Sequence, residues 1–344
     1  MSDFYSLKIK SVEELTLESV AVSFVIPAEL KSKFNFYSGQ YVTLETKING
    51  NNTRRSYSIC SAPNEDITVG IKKLQGGIFS THAVENFKKG EAINVSTPEG
   101  RFYYKENYGK EIITGIAAGS GITPILSIAK SVVRANKENK FVLIYGNKSK
   151  SDKMFSTELL KLKSEFPDRF IIIDVYSRAS EEGCFFGRID NSIINYCFKK
   201  YGKADKYFIC GPEEMIKKSS DKLLSSGISK KNIFFELFVS KNTKSSELTE
   251  DIESTIDIVY EGVNHTIKNP KSKTILDSAL DSNIDVPYSC QGGVCAACIA
   301  KIIKGKVTMD NNQILTDQEI DDGLILVCQS KSTDSYLKIN FDDV

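Results

Sequence analysis

Four cysteines near the C-terminus have a spacing that suits a metal cluster. Three stand in the segment Cys290-Gln-Gly-Gly-Val-Cys295-Ala-Ala-Cys298, and the fourth is Cys328. Three thiolates from one short loop can converge only if the loop folds back, and its two glycines allow the positive φ angles of such a turn. The C-x4-C-x2-C…C pattern is typical of [2Fe–2S] ligands. Structural zinc, the alternative, favours paired C-x2-C units, and the second pair is missing. We therefore predict a [2Fe–2S] cluster on Cys290, Cys295, Cys298 and Cys328.

The segments around these cysteines extend the pattern over a whole domain. They are Leu276–Leu280, Val286–Ser289, Gly305–Val307 and Ile325–Ser330. Together with the cysteines they resemble a plant-type ferredoxin across residues 254–344. The resemblance implies an α+β domain of the β-grasp type.

A second group of residues has the types that a flavin site needs. Arg55-Ser56-Tyr57-Ser58 resembles the R-x-Y-S signature of the ferredoxin–NADP reductase superfamily. An arginine fork matches a phosphate, a tyrosine ring can cover an isoalloxazine face, and a serine hydroxyl can bond the flavin N5. A surface turn is the bland alternative for such a tetrapeptide, and the order of the later motifs favours the flavin.

Two further segments fit the same superfamily. Gly76, Gly77, Ser80 and Thr81 resemble its second phosphate-binding segment, where backbone donors meet an anion at a helix start. Pro98–Phe102 matches the P-x-G-x-F turn at the end of the flavin domain. The resemblance favours FAD over FMN.

A glycine-rich loop indicates a nucleotide site. The segment Ala118-Gly-Ser-Gly-Ile-Thr-Pro124 follows an apolar run and opens a helical pattern. Gly119 and Gly121 let the backbone approach a pyrophosphate, and Pro124 costs nothing in a first helical turn. The G-x-G-x-x-P form resembles the reductase superfamily rather than a standard dinucleotide fold, and in that superfamily the threonine, here Thr123, also reaches towards the flavin.

The superfamily places a cysteine beside the nicotinamide and a glutamate near it. Cys210 in Cys210-Gly-Pro and Glu236 in Phe-Phe-Glu-Leu-Phe match these positions, and Phe238 matches the aromatic residue that stacks there. The alternative for the last segment is a simple buried strand. The predicted catalytic residues are Ser58, Cys210 and Glu236.

The nucleotide preference depends on the segment Tyr176-Ser177-Arg178. In NADP-dependent relatives a Ser-Arg pair at this place binds the adenosine 2′-phosphate. NADP needs a cation there for its 2′-phosphate, whereas NAD needs an acid for its free ribose hydroxyls. Asp174 is close in sequence and should point to the same face of the strand as Tyr176. An incidental surface arginine is the alternative. We predict NADPH in preference to NADH, with Ser177 and Arg178 in contact with it.

The elements that position these residues follow from the apolar patterns. Residues 1–106 contain short strand-like runs between turns, which predicts an antiparallel flavin-binding β-barrel. Residues 107–240 alternate apolar runs with helical patterns, which predicts a parallel α/β sheet. Residues 241–253 are polar without an apolar period and are predicted to be a linker before the ferredoxin domain at 254–344.

Composition narrows the class of partner. The chain of 344 residues has a net charge of +1, which argues against nucleic acid. No apolar stretch is long enough to span a membrane, and the N-terminus lacks a signal core, so we expect a cytoplasmic protein. Residues 254–344 carry 13 acidic and 8 basic side chains, so the acidic tail domain could dock on a basic partner or simply be solvated.

The domain order resembles the reductase components of multicomponent oxygenases. The implied activity is transfer of electrons from NADPH through FAD and the cluster to a redox protein such as an oxygenase, hydroxylase or desaturase component. A reductase for another redox protein, or a wiring or sensing subunit without hydride chemistry, are the alternatives. A monomer is the expected state.

Overall fold

The computed structural model describes residues 3–106, 109–238, 253–284, 286–288, 291–293, 296–312 and 314–344. The chain divides into two compact units, residues 3–237 and residues 238–344. The predicted linker, 241–253, lies outside the described residues except for its last position.

The first sheet of the larger unit is antiparallel. Its elements are β1 (Phe4–Thr16), β2 (Ser19–Val25), β3 (Tyr41–Ile48), β4 (Asn51–Ser58), β5 (Thr68–Lys72), helix α1 (Ile78–Asn86) and β6 (Ala92–Ser96). The strand order is β4-β3-β6-β1-β2-β5, and a bridge between Ile59 and Val69 closes β4 onto β5. Asn49 and Gly50 have positive φ angles in the β3–β4 hairpin, as an Asn-Gly turn requires. The predicted β-barrel is confirmed.

The second sheet of this unit is parallel. Its elements are β7 (Ile112–Ala118), α2 (Ile122–Ala135), β8 (Lys140–Asn147), α3 (Ser156–Glu165), β9 (Phe170–Tyr176), β10 (Phe185–Phe186), α4 (Asn191–Tyr201), β11 (Lys206–Gly211), α5 (Glu213–Ser225) and β12 (Ile233–Leu237). The strand order is β10-β9-β8-β7-β11-β12. The chain builds one side of the sheet from β7 to β10 and the other side with β11 and β12, so the order of the strands reverses between β7 and β11. Ligands of parallel sheets bind at the carboxyl ends of strands at such a point.

Helix α2 joins the two sheets of the larger unit. Its residues are buried almost all round, in a core that also includes Phe102 and Tyr104 from the end of the barrel segment. The Ser127 hydroxyl donates to the carbonyl of Ser61 at 2.6 Å, and the hydroxyls of Ser131 and Ser38 are 2.6 Å apart. The helix therefore packs against the barrel as well as against its own sheet.

A charge network lies at the same junction. The ammonium of Lys130 on α2, whose side chain is only 4% exposed, lies 2.9 Å from Glu65 of the barrel segment and 2.5 Å from Glu158 of α3. Arg134 is 2.6 Å from the other oxygen of Glu65. Burial acts to raise the pKa of Glu65, but the two cations outweigh it and hold that pKa at about 2. The network therefore ties the barrel to α2 with one well-compensated carboxylate.

We expect Lys130→Met to lower the free energy of unfolding by about 1–3 kcal/mol, because it leaves two carboxylates with less compensation. The folded pKa of Glu65 lies below its usual 4.5, so its contribution is full above that pH and is lost as the pH falls towards 2. Denaturant titrations from pH 7 to pH 3 should show a shallower acid loss in the variant. Lys137→Met, which removes an exposed lysine just after α2, is the control. An equal acid slope in both variants would contradict the assignment.

The described part of the smaller unit is a mixed sheet with two short helices and a short second sheet. Its elements are β13 (Glu253–Tyr260), β14 (Val263–Pro270), α6 (Ile275–Asp281), β15 (Ile299–Lys304), β16 (Val307–Met309), α7 (Asp317–Asp321), β17 (Leu324–Leu326), β18 (Ser330–Ser332) and β19 (Tyr336–Asn340). The main order is β14-β13-β19-β15-β17, with β13 and β19 parallel, and β16 pairs with β18. The predicted α+β ferredoxin domain is confirmed. No helix in the described part of the chain is long and apolar enough to cross a membrane.

Candidate active site and cluster centre

The Arg55–Ser58 segment forms the end of β4, where it pairs with β3. Ser58 lies opposite Tyr41 and is 4% exposed, whereas the Arg55 side chain is exposed. The Tyr57 ring is half-buried beside Phe79 of α1, with centroids 5.7 Å apart, and burial raises the pKa of its hydroxyl. The strand alternation therefore separates the pair Arg55 and Tyr57 from the two serines, which face the other way.

The second predicted phosphate segment forms the start of α1. Gly76 has a φ of 74°. The N-cap residue of the helix is Gly77, which has no side chain that could accept from the N–H groups of the first turn. The Ser80 hydroxyl accepts from the N–H of Leu74 at 3.1 Å, so it stabilises the loop itself. Thr81 is half-buried one position further on. The uncapped N–H groups are the donors that an anion could accept from.

The glycine-rich loop leaves the carboxyl end of β7 at the point where the strand order reverses. Gly119 has a φ of 55°, and its carbonyl accepts from the Tyr145 hydroxyl at 3.0 Å. A Cβ on Gly121 would lie 2.2 Å from the carbonyl oxygen of Cys210. Thr123, in the first turn of α2 with Pro124, packs against Gly70 of the barrel strand β5. The loop thus contacts both the β11 segment and the barrel.

Cys210, Glu236 and Ser58 come together at this point. Cys210 on β11 is fully buried and lies in register with Glu236 on the neighbouring strand β12. The Ser58 hydroxyl donates to the Glu236 carboxylate at 3.2 Å, although the two residues are 178 positions apart. Burial raises the pKa of the Cys210 thiol well above its usual value, and the Glu236 carboxylate raises it further. This environment favours the neutral form of the thiol, which is a weaker nucleophile than the thiolate.

The aromatic end of β12 divides between core and surface. Phe234 stacks on Phe208 with centroids 4.8 Å apart and a 14° angle, and it packs, partly buried, against the core of the nucleotide sheet. Phe235 is 42% exposed, and Phe238, which follows the strand directly, is 40% exposed. The segment is therefore not a simple buried strand.

The Ser177-Arg178 segment follows β9, and its backbone is fixed by the neighbouring strand. The Ser177 N–H donates to the carbonyl of Asn147 at 3.0 Å, and the Arg178 N–H donates to that of Lys148 at 2.9 Å. The Arg178 side chain is exposed. Asp174 is paired with the buried ammonium of Lys153 at 2.7 Å, so its charge is already neutralised. Lys153 was not predicted as part of this site, because it stands in a loop without a motif.

Two of the four predicted cluster ligands lie in the described residues. Cys298 and Cys328 are each 1% exposed. They are brought together by the pairing of β15 with β17, since the N–H of Val327 donates to the carbonyl of Cys298 at 3.1 Å. Cys290 and Cys295 lie outside the described residues. Two buried cysteines on segments that are joined by a backbone hydrogen bond fit a [2Fe–2S] cluster, which takes thiolate ligands.

A flavin-type barrel, a parallel nucleotide sheet and a ferredoxin sheet define a class, the pyridine-nucleotide-dependent flavin and iron–sulfur reductases. Three domain families match the sequence in this order: the oxidoreductase FAD-binding domain over residues 6–104, the oxidoreductase NAD-binding domain over 116–221, and the 2Fe-2S iron-sulfur cluster binding domain over 258–333. The protein therefore uses NAD(P)H, FAD and a [2Fe–2S] cluster.

Relatives that match over nearly the whole chain narrow the family to which the protein belongs. It is 34% identical to a subunit of the 1,2-phenylacetyl-CoA epoxidase of Escherichia coli (strain K12), in an alignment that covers 99% of each chain. It is 30% identical to the ferredoxin reductase component of 3-ketosteroid-9-alpha-monooxygenase from Rhodococcus rhodochrous, over 97% of this chain and 96% of that one. Phthalate dioxygenase reductase has the same fold, with a TM-score of 0.67, 24% identity and 98% coverage of both chains.

The chain belongs to this family of ferredoxin–NADP reductase-type oxygenase reductases. It is an NAD(P)H-dependent oxidoreductase that passes electrons from the pyridine nucleotide through FAD to the [2Fe–2S] cluster of an oxygenase system.

Proposed function

We propose that the chain takes hydride from NADPH at the junction of Ser58, Cys210 and Glu236. The observation that supports this is the 3.2 Å hydrogen bond from Ser58 of the barrel to Glu236 of the last strand of the nucleotide sheet. It joins the residue expected at the flavin ring to the pair expected at the nicotinamide. FAD, when bound, accepts two electrons as a hydride and can release them singly.

The protein residues have separate tasks in this proposal. Glu236 fixes the direction of the Ser58 hydroxyl, because a carboxylate only accepts hydrogen bonds. Cys210 is a buried neutral thiol, so it shapes the nicotinamide pocket and does not exchange protons near neutral pH. Phe238, with its exposed ring, is assigned to stacking. These residues position and enclose the reacting groups.

The other predicted site residues are assigned to FAD, to the nucleotide pyrophosphate and to the cluster. Arg55, Tyr57 and Ser56 on β4 are proposed to bind FAD with Gly76, Gly77, Ser80 and Thr81 at the start of α1. The nucleotide pyrophosphate is assigned to the loop of Gly119, Gly121, Thr123 and Pro124. Cys290, Cys295, Cys298 and Cys328 are the proposed cluster ligands. We retain domain boundaries of 1–106, 107–240 and 254–344, a monomeric state and a cytoplasmic location as proposals.

The preference for NADPH over NADH rests on two charges. The acid that could accept hydrogen bonds from the free ribose hydroxyls of NADH, Asp174, is neutralised by Lys153 at 2.7 Å. The cation that could meet a 2′-phosphate, Arg178, is exposed beside Ser177. A site with a neutralised acid and an exposed cation favours the phosphorylated nucleotide.

An anaerobic titration of the holoenzyme with NADPH and NADH, followed by flavin and cluster absorbance, tests the proposed path. Bleaching of both chromophores at low NADPH, with NADH far weaker, is the expected result. A preference for NADH would overturn the specificity and leave the reductase function intact. Failure of both nucleotides to bleach the flavin would overturn the hydride path and favour a wiring or sensing subunit.

We expect Arg178→Ala to raise the KM for NADPH about 10- to 100-fold, because a charge-assisted hydrogen bond contributes about 1.5–3 kcal/mol. The KM for NADH should change by less than about twofold, because NADH lacks the phosphate. Lys163→Ala, which removes an exposed cation from α3, is the control. Equal loss for both nucleotides would show that Arg178 does not read the 2′-phosphate.

The electron acceptor is proposed to be an oxygenase component. The support is that one relative described above is a subunit of an epoxidase and the other is the ferredoxin reductase component of a monooxygenase. Oxygen-dependent product formation on mixing with the candidate oxygenase would support this. Reduction of an unrelated redox protein at a higher rate, with no coupling to oxygenase turnover, would favour the alternative of a reductase for another redox system.

A further inference from the structure

Two amide side chains near the cluster stand at the same end of a short β-ladder. Strands β16 and β18 pair so that Met309 lies opposite Ser330. The N–H of Asp310 donates to the carbonyl of Gln329 at 2.8 Å, which extends the ladder by one step. Asn311 and Gln329 therefore leave the ladder side by side, and Gln329 directly follows the predicted ligand Cys328.

Both amides donate to the loop that contains the first three cysteines. Asn311 Nδ2 donates to the carbonyl of Gly292 at 2.7 Å. Gln329 Nε2 donates to the carbonyl of Gln291 at 3.0 Å and also to that of Cys328 at 2.9 Å. One amide group of Gln329 thus bridges the loop and the backbone of the fourth predicted ligand, and both of its hydrogens are used.

The loop is packed tightly against the same two residues. Gly293 has a φ of 76°, and a Cβ there would lie 2.5 Å from the carbonyl oxygen of Asn311 and 3.0 Å from Cγ of Gln329. Gln291 has a φ of 53°, a conformation that residues with a Cβ rarely adopt. A strained, glycine-rich turn keeps one shape only if its surroundings fix it.

We propose that Asn311 and Gln329 form a loop clamp that fixes residues 291–293 to the segment of Cys328 and so sets the geometry at which the cluster ligands converge. They are positioning residues, because they act on the ligand loop through backbone carbonyls. Partners of this kind orient metal ligands and tune the metal. The inference rests on [2Fe–2S] binding and is independent of nucleotide preference and of the hydride path.

Asn311→Asp and Gln329→Glu in the full-length holoenzyme test the clamp, because they keep the shape and replace the donor by an acceptor. We expect the rate of cluster loss to a chelator to rise about tenfold, as expected for one lost hydrogen bond. The electron paramagnetic resonance spectrum of the dithionite-reduced cluster should broaden or shift its g values, which a purely structural role would not cause. Dithionite makes this measurement independent of NADPH.

Asn264→Asp is the matched control, because it makes the same change on β14, at the opposite edge of the sheet from β17. Flavin bleaching by pyridine nucleotide should be unchanged in all variants, which separates failure of the clamp from failure of the hydride path. Where a carboxylate variant assembles no cluster, Gln329→Met, which removes the donor without adding charge, decides by the same two measurements. Loss rates within twofold of the parent and unchanged g values would overturn the clamp.

Discussion

Gly121→Ala is expected to reduce pyridine-nucleotide-dependent flavin reduction at least about a hundredfold, because a displacement of about 1 Å at a reacting centre can have that effect. The added Cβ would lie 2.2 Å from the carbonyl oxygen of Cys210, 2.5 Å from its carbonyl carbon and 2.9 Å from the nitrogen of Gly211. These are backbone atoms, so no side chain can rotate away. Either the glycine-rich loop or the Cys210 strand end must move.

The backbone angles of Gly121 exclude a conformational explanation. Its φ of −61° and ψ of −6° suit alanine as well as glycine, so the penalty is steric alone. Overpacking of this kind typically costs about 1–3 kcal/mol of stability. Stopped-flow measurement of flavin reduction, with denaturant titration of the same samples, separates the loss of rate from unfolding.

Gly119 in the same loop supplies the contrast. Its φ is 55°, and a Cβ there would meet no atom within 4 Å. In the nucleotide-free protein, Gly119→Ala should therefore lower stability only through backbone strain of about 1–2 kcal/mol, and Gly119→Asn less, because asparagine tolerates this conformation. Cys210 should be undisturbed in both. Because Gly119 is also assigned to the pyrophosphate, rates are compared at saturating nucleotide, and values for Gly121→Ala within about threefold of those for Gly119→Asn would contradict the packing argument.

Glu236→Gln is expected to slow flavin reduction by NADPH about 10- to 100-fold with little change in nucleotide binding, because it disturbs orientation rather than affinity. The Glu236 carboxylate accepts from the Ser58 hydroxyl at 3.2 Å and so directs its hydrogen. A glutamine amide offers a donor and an acceptor of similar size, so the hydroxyl is no longer held in one direction. Ser58→Ala should show a comparable loss.

The two changes act on one hydrogen bond, so the double variant should lose little more than either single variant. Glu99→Gln is the control, because Glu99 is also a partly buried carboxylate, in the barrel segment, and lies 3.5 Å from the Tyr41 hydroxyl. Additive losses in the double variant would show that Ser58 and Glu236 act separately. Equal losses in Glu99→Gln would point to a general effect of removing a carboxylate.

Local sequence patterns predicted the elements well. Within 107–240 the sequence shows an apolar run at Phe170–Val175, which predicts a strand, and the structure has β9 at Phe170–Tyr176. The sequence also shows a helical pattern near Ile189–Tyr201, and the structure has α4 at Asn191–Tyr201. The later start of α4 has a physical cause, because the Asp190 side chain accepts from the N–H groups of Ser192 and Ile193 and caps the helix. Such signals are contained in a few adjacent residues.

The site was predicted as separate parts, and the structure supplied how they meet. R-x-Y-S, the glycine-rich loop and Cys210-Gly-Pro each stand out in sequence because each needs special backbone or side-chain chemistry. The bond between Ser58 and Glu236 and the pair of Lys153 with Asp174 carry no such signal. Each depends on which strands are neighbours and in what register, and an acid or lysine in a strand or loop looks the same whether paired or solvated.

The class of protein could be predicted from cysteine spacing, glycine-rich turns and apolar periodicity, because these are local requirements of a cluster, a nucleotide and a fold. Three contacts became visible in the folded protein alone: Asp174 pairs with Lys153, Lys130 joins the barrel to α2, and Asn311 and Gln329 donate hydrogen bonds to the cluster loop. These contacts join residues from 19 to 65 positions apart. Long-range pairing follows from the packing of whole elements, which no local pattern encodes.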